Sequence, residues 1–212
     1  MRNVIVWGAS GGIGRAFVEA VADTSDAVVA VARDSASLRS VTPYVVDADL
    51  ANPDSVARAM QAATSVAETF DLAIVAVGDI SSSRAIDMDM ATWRRLIENN
   101  LTAAFLTMQA TTPHLATGGS LVVIGAVHER LRLPGLGAYA ATKAAIEAYV
   151  DAWRKEARRR AVVVRPSAVD TPLWRKVPFA LPRGAMAPAD VASRTIAAVA
   201  AGHDGILDLA AS

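Results

Sequence analysis

A glycine-rich turn directly after the first apolar run constrains the fold more than any other feature of this sequence. Val4 to Trp7 form a short apolar run, which is followed by Gly8-Ala-Ser-Gly-Gly-Ile-Gly14 and by an amphipathic stretch from Arg15 to Ala22. This order predicts a strand, a tight turn and a helix. Glycines at positions 8, 12 and 14 would let an anion approach the helix N-terminus, where free N–H groups favour negative charge. The spacing is G-x-x-x-G-x-G rather than the commoner G-x-G-x-x-G, so a simple glycine turn is the alternative interpretation.

Strand and helix patterns alternate along the rest of the chain. Further strands are predicted at 27–32, 44–46, 72–77, 120–124, 161–165 and 205–209, and helices at 53–68, 89–112, about 137–160 and 188–201. Asn52 is the predicted N-cap of the second helix, with Pro53 in its first turn. Because such alternation favours a parallel sheet with helices on both faces, we expect an α/β, Rossmann-like doubly wound fold of about seven strands. A length of 212 residues, 53% of them hydrophobic, predicts a single domain over residues 1–212.

Composition argues against several classes of function. Lys and Arg together number 21, as do Asp and Glu, so no net charge would attract nucleic acid or an anionic membrane. The sequence has no cysteine, which excludes disulfides and a cysteine nucleophile, and its three histidines lack the spacing of metal ligands, so we expect no metal. No uncharged apolar run reaches about 18 residues, and the N-terminus lacks a signal-peptide pattern. These features predict a cytoplasmic protein.

Tyr139 and Lys143 form a second candidate functional pair. They lie in an alanine-rich stretch that predicts a helix, and residues four apart occupy the same helix face. Since an ammonium close to a phenol favours the phenolate, we expect the pKa of Tyr139 to fall from its reference value of about 10. Such a pair could exchange protons near neutral pH. Tyr-x-x-x-Lys also occurs by chance in helices, and two solvated side chains are the alternative.

The end of the second predicted strand indicates which nucleotide the glycine turn would bind. In doubly wound folds this position meets the adenosine ribose, where a carboxylate binds the 2′-hydroxyl and an arginine accommodates a 2′-phosphate. Ala32 and Arg33 occupy the position here, so the sequence favours NADP(H) over NAD(H). A solvated arginine in a turn is the alternative.

The glycine turn, Tyr139 and Lys143, together with three shorter motifs, resemble the short-chain dehydrogenase/reductase family. The shorter motifs are Asp49-Leu50, Asn99-Asn100-Leu101 and Arg165-Pro-Ser-Ala-Val-Asp-Thr-Pro-Leu173. The motifs follow one another in the order that the family shows, and the likeness covers nearly the full length. It implies a dinucleotide-binding fold and oxidoreductase chemistry.

The resemblance also implies a role for individual residues. Tyr139 would be the general acid and base, Lys143 would lower its pKa and bind the nicotinamide ribose, and Asn100 would hold a water molecule of a proton relay. Val169 and Thr171 would fix the carboxamide of the nicotinamide. The full set of implied cofactor-binding residues is Gly8, Ser10, Gly11, Gly12, Ile13, Gly14, Arg33, Asp49, Leu50, Val77, Gly78, Tyr139, Lys143, Pro166, Val169 and Thr171.

Two positions depart from the family pattern. The residue thirteen before Tyr139, where the family has its catalytic serine, is Ala126. Losing such a hydrogen-bond donor costs about 10² to 10³ in rate. The segment Val75-Ala-Val-Gly78 stands where the family usually reads Asn-Asn-Ala-Gly. His128 lies two residues after Ala126 and could donate a hydrogen bond in place of the serine; a structural or surface histidine is the alternative.

These patterns predict an NADP(H)-dependent oxidoreductase that interconverts a carbonyl and an alcohol and is slowed by the missing serine. We expect an open, apolar pocket for a small or medium-sized substrate, bordered by Val127, His128, Leu133, Trp174 and Phe179. A cofactor-binding sensor or interaction protein with impaired catalysis is the alternative. By the same resemblance, the long helices at about 89–112 and 138–158 predict a homodimer or homotetramer, although their alanines would also suit an intrachain core.

Overall fold

A parallel sheet forms the centre of the molecule in the computed structural model, which describes residues 2–210. Its strands are β1 (Asn3–Trp7), β2 (Ala27–Ala32), β3 (Val45–Asp47), β4 (Phe70–Val75), β5 (Leu115–Ile124), β6 (Arg160–Pro166) and β7 (Gly205–Leu209). Their order across the sheet is β3-β2-β1-β4-β5-β6-β7, and every neighbouring pair is parallel. The chain adds β2 and β3 on one side of β1 and then β4 to β7 on its other side, as in a doubly wound sheet. This confirms the predicted α/β, Rossmann-like fold.

Helices cover both faces of the sheet. They are α1 (Gly12–Ala22), α2 (Pro53–Thr64), α3 (Met90–Leu96), α4 (Ala103–Thr111), α5 (Gly137–Ala157) and α6 (Pro188–Ala200). The buried side chains of α1 and α6 belong to one hydrophobic core, and those of α2, α4 and α5 belong to another. Val4 and Val6 of β1 lie in the first core and Ile5 and Trp7 in the second, because successive side chains of a strand point to opposite faces. Every helix within residues 2–210 is either too short or too polar to span a lipid bilayer.

The fourth strand lies two residues earlier than the sequence pattern predicts. The expected range was 72–77, whereas β4 covers Phe70–Val75, so Val77 and Gly78 belong to the loop that follows. Val77 is nevertheless buried, which means that its apolar character reflects a place in the core rather than strand pairing. The predicted cap of α2 is confirmed, since the Asn52 side chain accepts a hydrogen bond from the backbone N–H of Ser55 at 2.9 Å.

The two long helices also differ from their predicted forms. Between α3 and α4 the chain makes a π-helical segment, Ile97–Thr102, which interrupts the helix predicted at 89–112. The segment carries Asn100, whose side chain is fully buried. Helix α5 ends at Ala157 rather than near residue 160, because Arg158 adopts a left-handed backbone conformation with a φ of 50°. Such a residue ends a helix by turning the chain away from its axis.

Candidate active site

A cavity of about 980 Å³ lies at the carboxyl ends of the strands, beside the switch point between β1 and β4. Open α/β sheets bind their ligands at this place. The predicted site residues that line the cavity are Gly8, Ser10, Gly11, Gly12, Ile13, Arg33, Asp49, Leu50, Val77, Gly78, Tyr139, Lys143, Pro166, Val169 and Thr171. Gly14 and Asn100 are the two predicted site residues that do not line it. The fold therefore brings together segments that are distant in sequence.

The two ends of the glycine turn, Gly8 and Gly14, have no room for a side chain. Gly8 has a φ of 78°, and a Cβ atom at this position would lie 2.7 Å from the carbonyl oxygen of Ala76. A Cβ atom at Gly14 would lie 2.2 Å from the carbonyl oxygen of Gly8. Gly14 is buried beneath the turn, so the structure places it as a packing residue of α1 rather than in direct contact with a ligand.

The N-terminus of α1 points into the cavity and is suited to bind an anion. Gly11 is the N-cap and offers no side chain, so no side-chain hydrogen bond caps the first turn. Gly11, Gly12 and Ile13 all line the cavity. Unpaired N–H groups and the helix dipole favour a phosphate at such a place. A Cβ atom at Gly12 would lie 2.7 Å from Cγ2 of Thr171, which shows how closely the segment after β6 approaches the turn.

Arg33 follows β2 directly, and it is a charged residue that lines the cavity. Arg33 is exposed, and Ala32 beside it also lines the cavity. The neighbouring carboxylate, Asp34, is not part of the lining and accepts a hydrogen bond from the backbone N–H of Ala36 at 3.1 Å. Asp49 does line the cavity, at the end of β3 on the edge of the sheet, and its carboxylate accepts a hydrogen bond from the N–H of Ala51.

Tyr139 and Lys143 lie in the first turns of α5 and face the cavity together. Lys143 is 3% exposed, and its Nζ donates a hydrogen bond to the carbonyl oxygen of Ile124 at 3.0 Å. The distance from this Nζ to the centre of the Tyr139 ring is 5.8 Å. A Cβ atom at Gly78 would lie 3.5 Å from Lys143 Nζ and 3.1 Å from Oδ1 of Asn100. The absence of a side chain at Gly78 therefore lets these polar groups come close together.

The pKa of Tyr139 moves in the opposite direction from the sequence-based prediction. Burial, with a smaller contribution from the negative charge of Asp79, raises the pKa of Tyr139 to about 12. Burial also lowers the pKa of Lys143 to about 8, since a charged ammonium is disfavoured away from water. The ammonium of Lys143 does not outweigh the burial of the phenol. The expectation of a lowered tyrosine pKa was thus wrong for the protein by itself.

Asn100 fixes the backbone next to the cavity from its position in the π-helical segment. Its Nδ2 donates hydrogen bonds to the carbonyl oxygens of Asp79 at 2.9 Å and Leu96 at 2.8 Å. Its Oδ1 accepts a hydrogen bond from the N–H of Asp79 at 3.2 Å. Both polar groups of the side chain are therefore bonded within the protein. The role in a water-mediated proton relay that the family resemblance implies stays a prediction.

Asp79 is a site residue that the sequence reasoning missed. It is 4% exposed, and its carboxylate forms ion pairs with Arg95 of α3 and with Lys176, whose Nζ lies 2.6 Å from Oδ1. Lys176 lines the cavity, at the end of a 3₁₀ helix that covers Pro172–Lys176. One signal was available in the sequence, because Asp79 is the first charged residue after the uncharged run 72–78. A charge directly after a buried strand indicates a position at the carboxyl edge of the sheet.

Ala126 lines the cavity, but His128 does not. The Nε2 atom of His128 lies 3.5 Å from carboxylate oxygens of both Glu129 and Glu147. The prediction that His128 borders the pocket was therefore wrong, since its imidazole lies beside these two carboxylates instead. Residues 2–210 also contain no group of three or more His, Cys, Asp or Glu side chains placed to hold a metal ion.

Apolar side chains form the wall of the cavity near Tyr139. The predicted border residues Val127, Leu133, Trp174 and Phe179 all line it. The structure adds Ile80, Leu131, Leu136, Leu173 and Val177 to these apolar residues, and Arg130 as a charged one. The Trp174 indole N–H donates a hydrogen bond to the carbonyl oxygen of Val169 at 2.8 Å, which holds the 3₁₀ helix against the segment after β6.

Comparisons with known proteins show the family of this chain. A family model described as short chain dehydrogenase matches residues 2–180. An uncharacterised oxidoreductase of Schizosaccharomyces pombe is 30% identical over 184 residues, which cover 80% of this chain and 72% of that protein.

Solved structures show the same fold. An alcohol dehydrogenase from the archaeon Thermococcus sibiricus, complexed with 5-hydroxy-NADP, gives a TM-score of 0.89 at 23% identity, covering 99% of this chain and 96% of that one. A 3-ketoacyl-(acyl-carrier-protein) reductase from Brucella melitensis, complexed with NADH, gives a TM-score of 0.89 at 21% identity, covering 100% of this chain and 97% of that one. Because the family model matches most of its length and solved structures share its fold, the chain belongs to the short-chain dehydrogenase family of oxidoreductases.

Proposed function

We propose that the protein is an NADP(H)-dependent oxidoreductase that interconverts a carbonyl and an alcohol, with Tyr139 as general acid and base. The observation that carries this proposal is that Tyr139 and the buried Lys143 line the same cavity as the glycine turn. A nucleotide bound at the N-terminus of α1 and a substrate beside Tyr139 would thus share one continuous space.

The chain offers fitting groups along the length of such a nucleotide. The glycine turn would bind the pyrophosphate, Arg33 the 2′-phosphate, and Asp49 with Leu50 the adenine. The segment after β6, with Val169 and Thr171, would bind the carboxamide of the nicotinamide. The two similar solved structures hold an NADP derivative and NADH, so our preference for NADP(H) rests on Arg33. Once bound, the nicotinamide supplies or accepts the hydride, while the protein supplies orientation and a proton.

Tyr139 is suited to donate a proton at neutral pH. Its raised pKa keeps the phenol protonated, so the hydroxyl can donate a hydrogen bond to a carbonyl oxygen and then its proton as negative charge develops there. The ammonium of Lys143 would stabilise the tyrosinate that this transfer leaves. Since the reverse reaction needs the phenolate first, we propose that the rate of alcohol oxidation rises with pH above neutral.

The substrate oxygen would receive fewer hydrogen bonds here than the family pattern provides. Ala126 lines the cavity with a methyl group, at the position where the family resemblance implies a serine hydroxyl. The hydroxyl of Tyr139 would therefore stabilise the developing negative charge with less help. We propose that the protein reduces electron-poor carbonyls, such as dicarbonyls and quinones, better than simple ketones.

We also propose that the protein forms a homodimer or homotetramer through α4 and α5. Phe105 of α4 and Tyr149 of α5 pack edge to face with ring centres 5.8 Å apart, and Phe105 remains 37% exposed. Aromatic side chains that stay partly exposed on neighbouring helices suit a contact between two copies of the chain.

The nucleotide preference is tested by titrating the purified protein with NADPH and NADH while following the fluorescence of the reduced nicotinamide. We expect Arg33→Ala to weaken NADPH binding about 10- to 100-fold and NADH binding little, because it removes a hydrogen bond between two charged groups. Arg39→Ala is the matched control, since Arg39 is a nearby arginine that does not line the cavity. Tighter binding of NADH than of NADPH by the wild type would contradict the proposal.

Turnover is tested in the same cuvette by adding dicarbonyls, quinones and simple aldehydes and following the loss of NADPH. We expect oxidation of NADPH by at least one electron-poor carbonyl, and its loss in Tyr139→Phe although this variant still binds NADPH. Binding of NADPH without any turnover would instead favour a cofactor-binding sensor.

A further inference from the structure

Apart from Asp49, the charged side chains that line the cavity are cationic: Arg33, Arg130, Lys143, Lys176 and Arg183. Arg130 comes from the loop after β5, Lys143 from α5 and Lys176 from the 3₁₀ helix after β6. Among the described residues, the carboxylate that lines the cavity belongs to Asp49. Asp49 follows β3 at the opposite edge of the sheet, beyond β2, β1 and β4. A substrate beside Tyr139 would therefore meet positive charge without a lining carboxylate.

Lys176 keeps the capacity to bind an anion although it is already paired. Its Nζ lies 2.6 Å from one carboxylate oxygen of Asp79, and Arg95 pairs with the other oxygen. Two cations thus share one carboxylate, and the cluster retains one positive charge. An ammonium has three N–H donors, so the bond to Asp79 leaves two of them available. The Lys176 side chain is 50% exposed and lines the cavity, while Asp79 is buried behind it.

The buried carboxylate of Asp79 holds the ammonium of Lys176 in place. Both backbone groups of Asp79 are hydrogen-bonded to the buried side chain of Asn100, so its carboxylate extends from a fixed point. Because Lys176 ends the 3₁₀ helix whose Trp174 is bonded to Val169, the lysine is restrained at its backbone as well. A restrained cation loses less conformational entropy when it binds a ligand than a free surface lysine does.

Arg130 provides a second cation in the lining of the cavity. It is exposed, and its guanidinium forms no salt bridge within residues 2–210. Arg130 shares the cavity lining with Lys176, and its guanidinium N–H groups are available to a ligand.

We propose that the substrate carries a carboxylate that binds Lys176 and Arg130, so that the protein acts on small, partly apolar carbonyl compounds bearing an acid group. Asp79 is the positioning residue for Lys176 in this arrangement. The proposal rests on the proposed function, because it takes the space beside Tyr139 as the substrate site.

A matched pair of aldehydes tests the substrate class, namely 4-carboxybenzaldehyde and its methyl ester. Both present the same aldehyde, and only the first is anionic at neutral pH. We expect the wild type to reduce the acid with a kcat/KM at least tenfold above that of the ester. Lys176→Met should lower kcat/KM for the acid about tenfold, mainly through KM, and leave the ester unchanged, while Lys176→Arg should restore most of the loss. Arg175→Met is the control, since Arg175 precedes Lys176 in the same 3₁₀ helix but does not line the cavity.

Calorimetric titration of the same two compounds, with NADP⁺ present, separates this proposal from the proposed function. Selective binding of the acid that Lys176→Met weakens, without any turnover of either compound, would support the anion site and contradict the reductase. Turnover of both compounds with equal kcat/KM would support the reductase and overturn the anion site. A loss of NADPH affinity in Lys176→Met as large as the loss for the acid would also overturn it, because the lysine would then bind the cofactor.

Discussion

At position 126 the cavity beside Tyr139 is lined by a methyl group instead of a hydrogen-bond donor. We expect Ala126→Ser to raise kcat for carbonyl reduction by about tenfold or more, because one added donor to a developing oxyanion is worth up to about 10² to 10³ in rate. The affinity for NADPH should not change. Steady-state kinetics with a dicarbonyl substrate measures the effect.

Ala126→Val is the control for this substitution, since valine adds bulk without a donor. If Ala126→Ser does not raise kcat and behaves like Ala126→Val, the missing hydroxyl does not limit the rate. Another group would then already bind the substrate oxygen.

Lys143 makes stability depend on pH in a direction that follows from its burial. Its pKa is lowered to about 8 from 10.5, so between these values the unfolded chain holds a proton that the folded chain does not. The free energy of unfolding should therefore rise with pH, by about 2 to 3 kcal/mol between about pH 7.5 and pH 10. Above about pH 10 the sign reverses, because the raised pKa of Tyr139 keeps a proton in the folded state that the unfolded state loses.

Urea denaturation at a series of pH values measures this dependence. Lys143→Met should remove the rise below pH 10, whereas Lys155→Met, which changes an exposed lysine on the same helix, should keep it. Parallel pH profiles for the wild type and Lys143→Met would show that Lys143 keeps an ordinary pKa in the folded protein.

Among the secondary structure elements, the connection from β1 to α1 depends most strongly on a single residue. A Cβ atom at Gly14 would lie 2.2 Å from the carbonyl oxygen of Gly8, and the backbone must move to admit it. We expect Gly14→Ala to destabilise the protein by about 2 to 4 kcal/mol and to weaken NADPH binding, because α1 shifts away from the turn. Thermal denaturation and nucleotide titration measure the two effects.

Gly137→Ala is the matched control, since a Cβ atom at this first residue of α5 would meet no atom within 4 Å. This substitution should be neutral or stabilise the protein by up to about 1 kcal/mol. Equal destabilisation by both changes would mean that helix propensity, rather than the close approach to Gly8, sets the requirement for glycine.

The elements could be predicted from the sequence where a local pattern determines them. The apolar strands and the capped start of α2 are examples, since burial on both faces and an N-cap each leave a signature within a few residues. The π-helical segment was not predictable in this way. Ile97 to Thr102 keep ordinary helical spacing, and the contact that accompanies the altered winding, between Asn100 and the backbone of Asp79, joins residues 21 positions apart.

In the molecule as a whole, the site combines features that local motifs encode with features that only the fold creates. The glycine turn and the Tyr139/Lys143 pair have fixed spacings, so the sequence alone identified them. The contact between Asp79 and Lys176 joins residues 97 positions apart and has no spacing to detect. The pKa of Tyr139 was predicted in the wrong direction for a related reason, because its burial depends on segments that surround it in the folded chain.

The transfer of deuterium from the 4-position of NADPH to a reducible carbonyl tests the proposed chemistry of the whole molecule most directly. The reduced cofactor is prepared with deuterium on the transferable face, and mass spectrometry detects the label in the alcohol formed. We expect one deuterium at the carbinol carbon with the wild-type protein and no product with Tyr139→Phe. An unlabelled alcohol, or equal product from the two proteins, would contradict hydride transfer assisted by Tyr139.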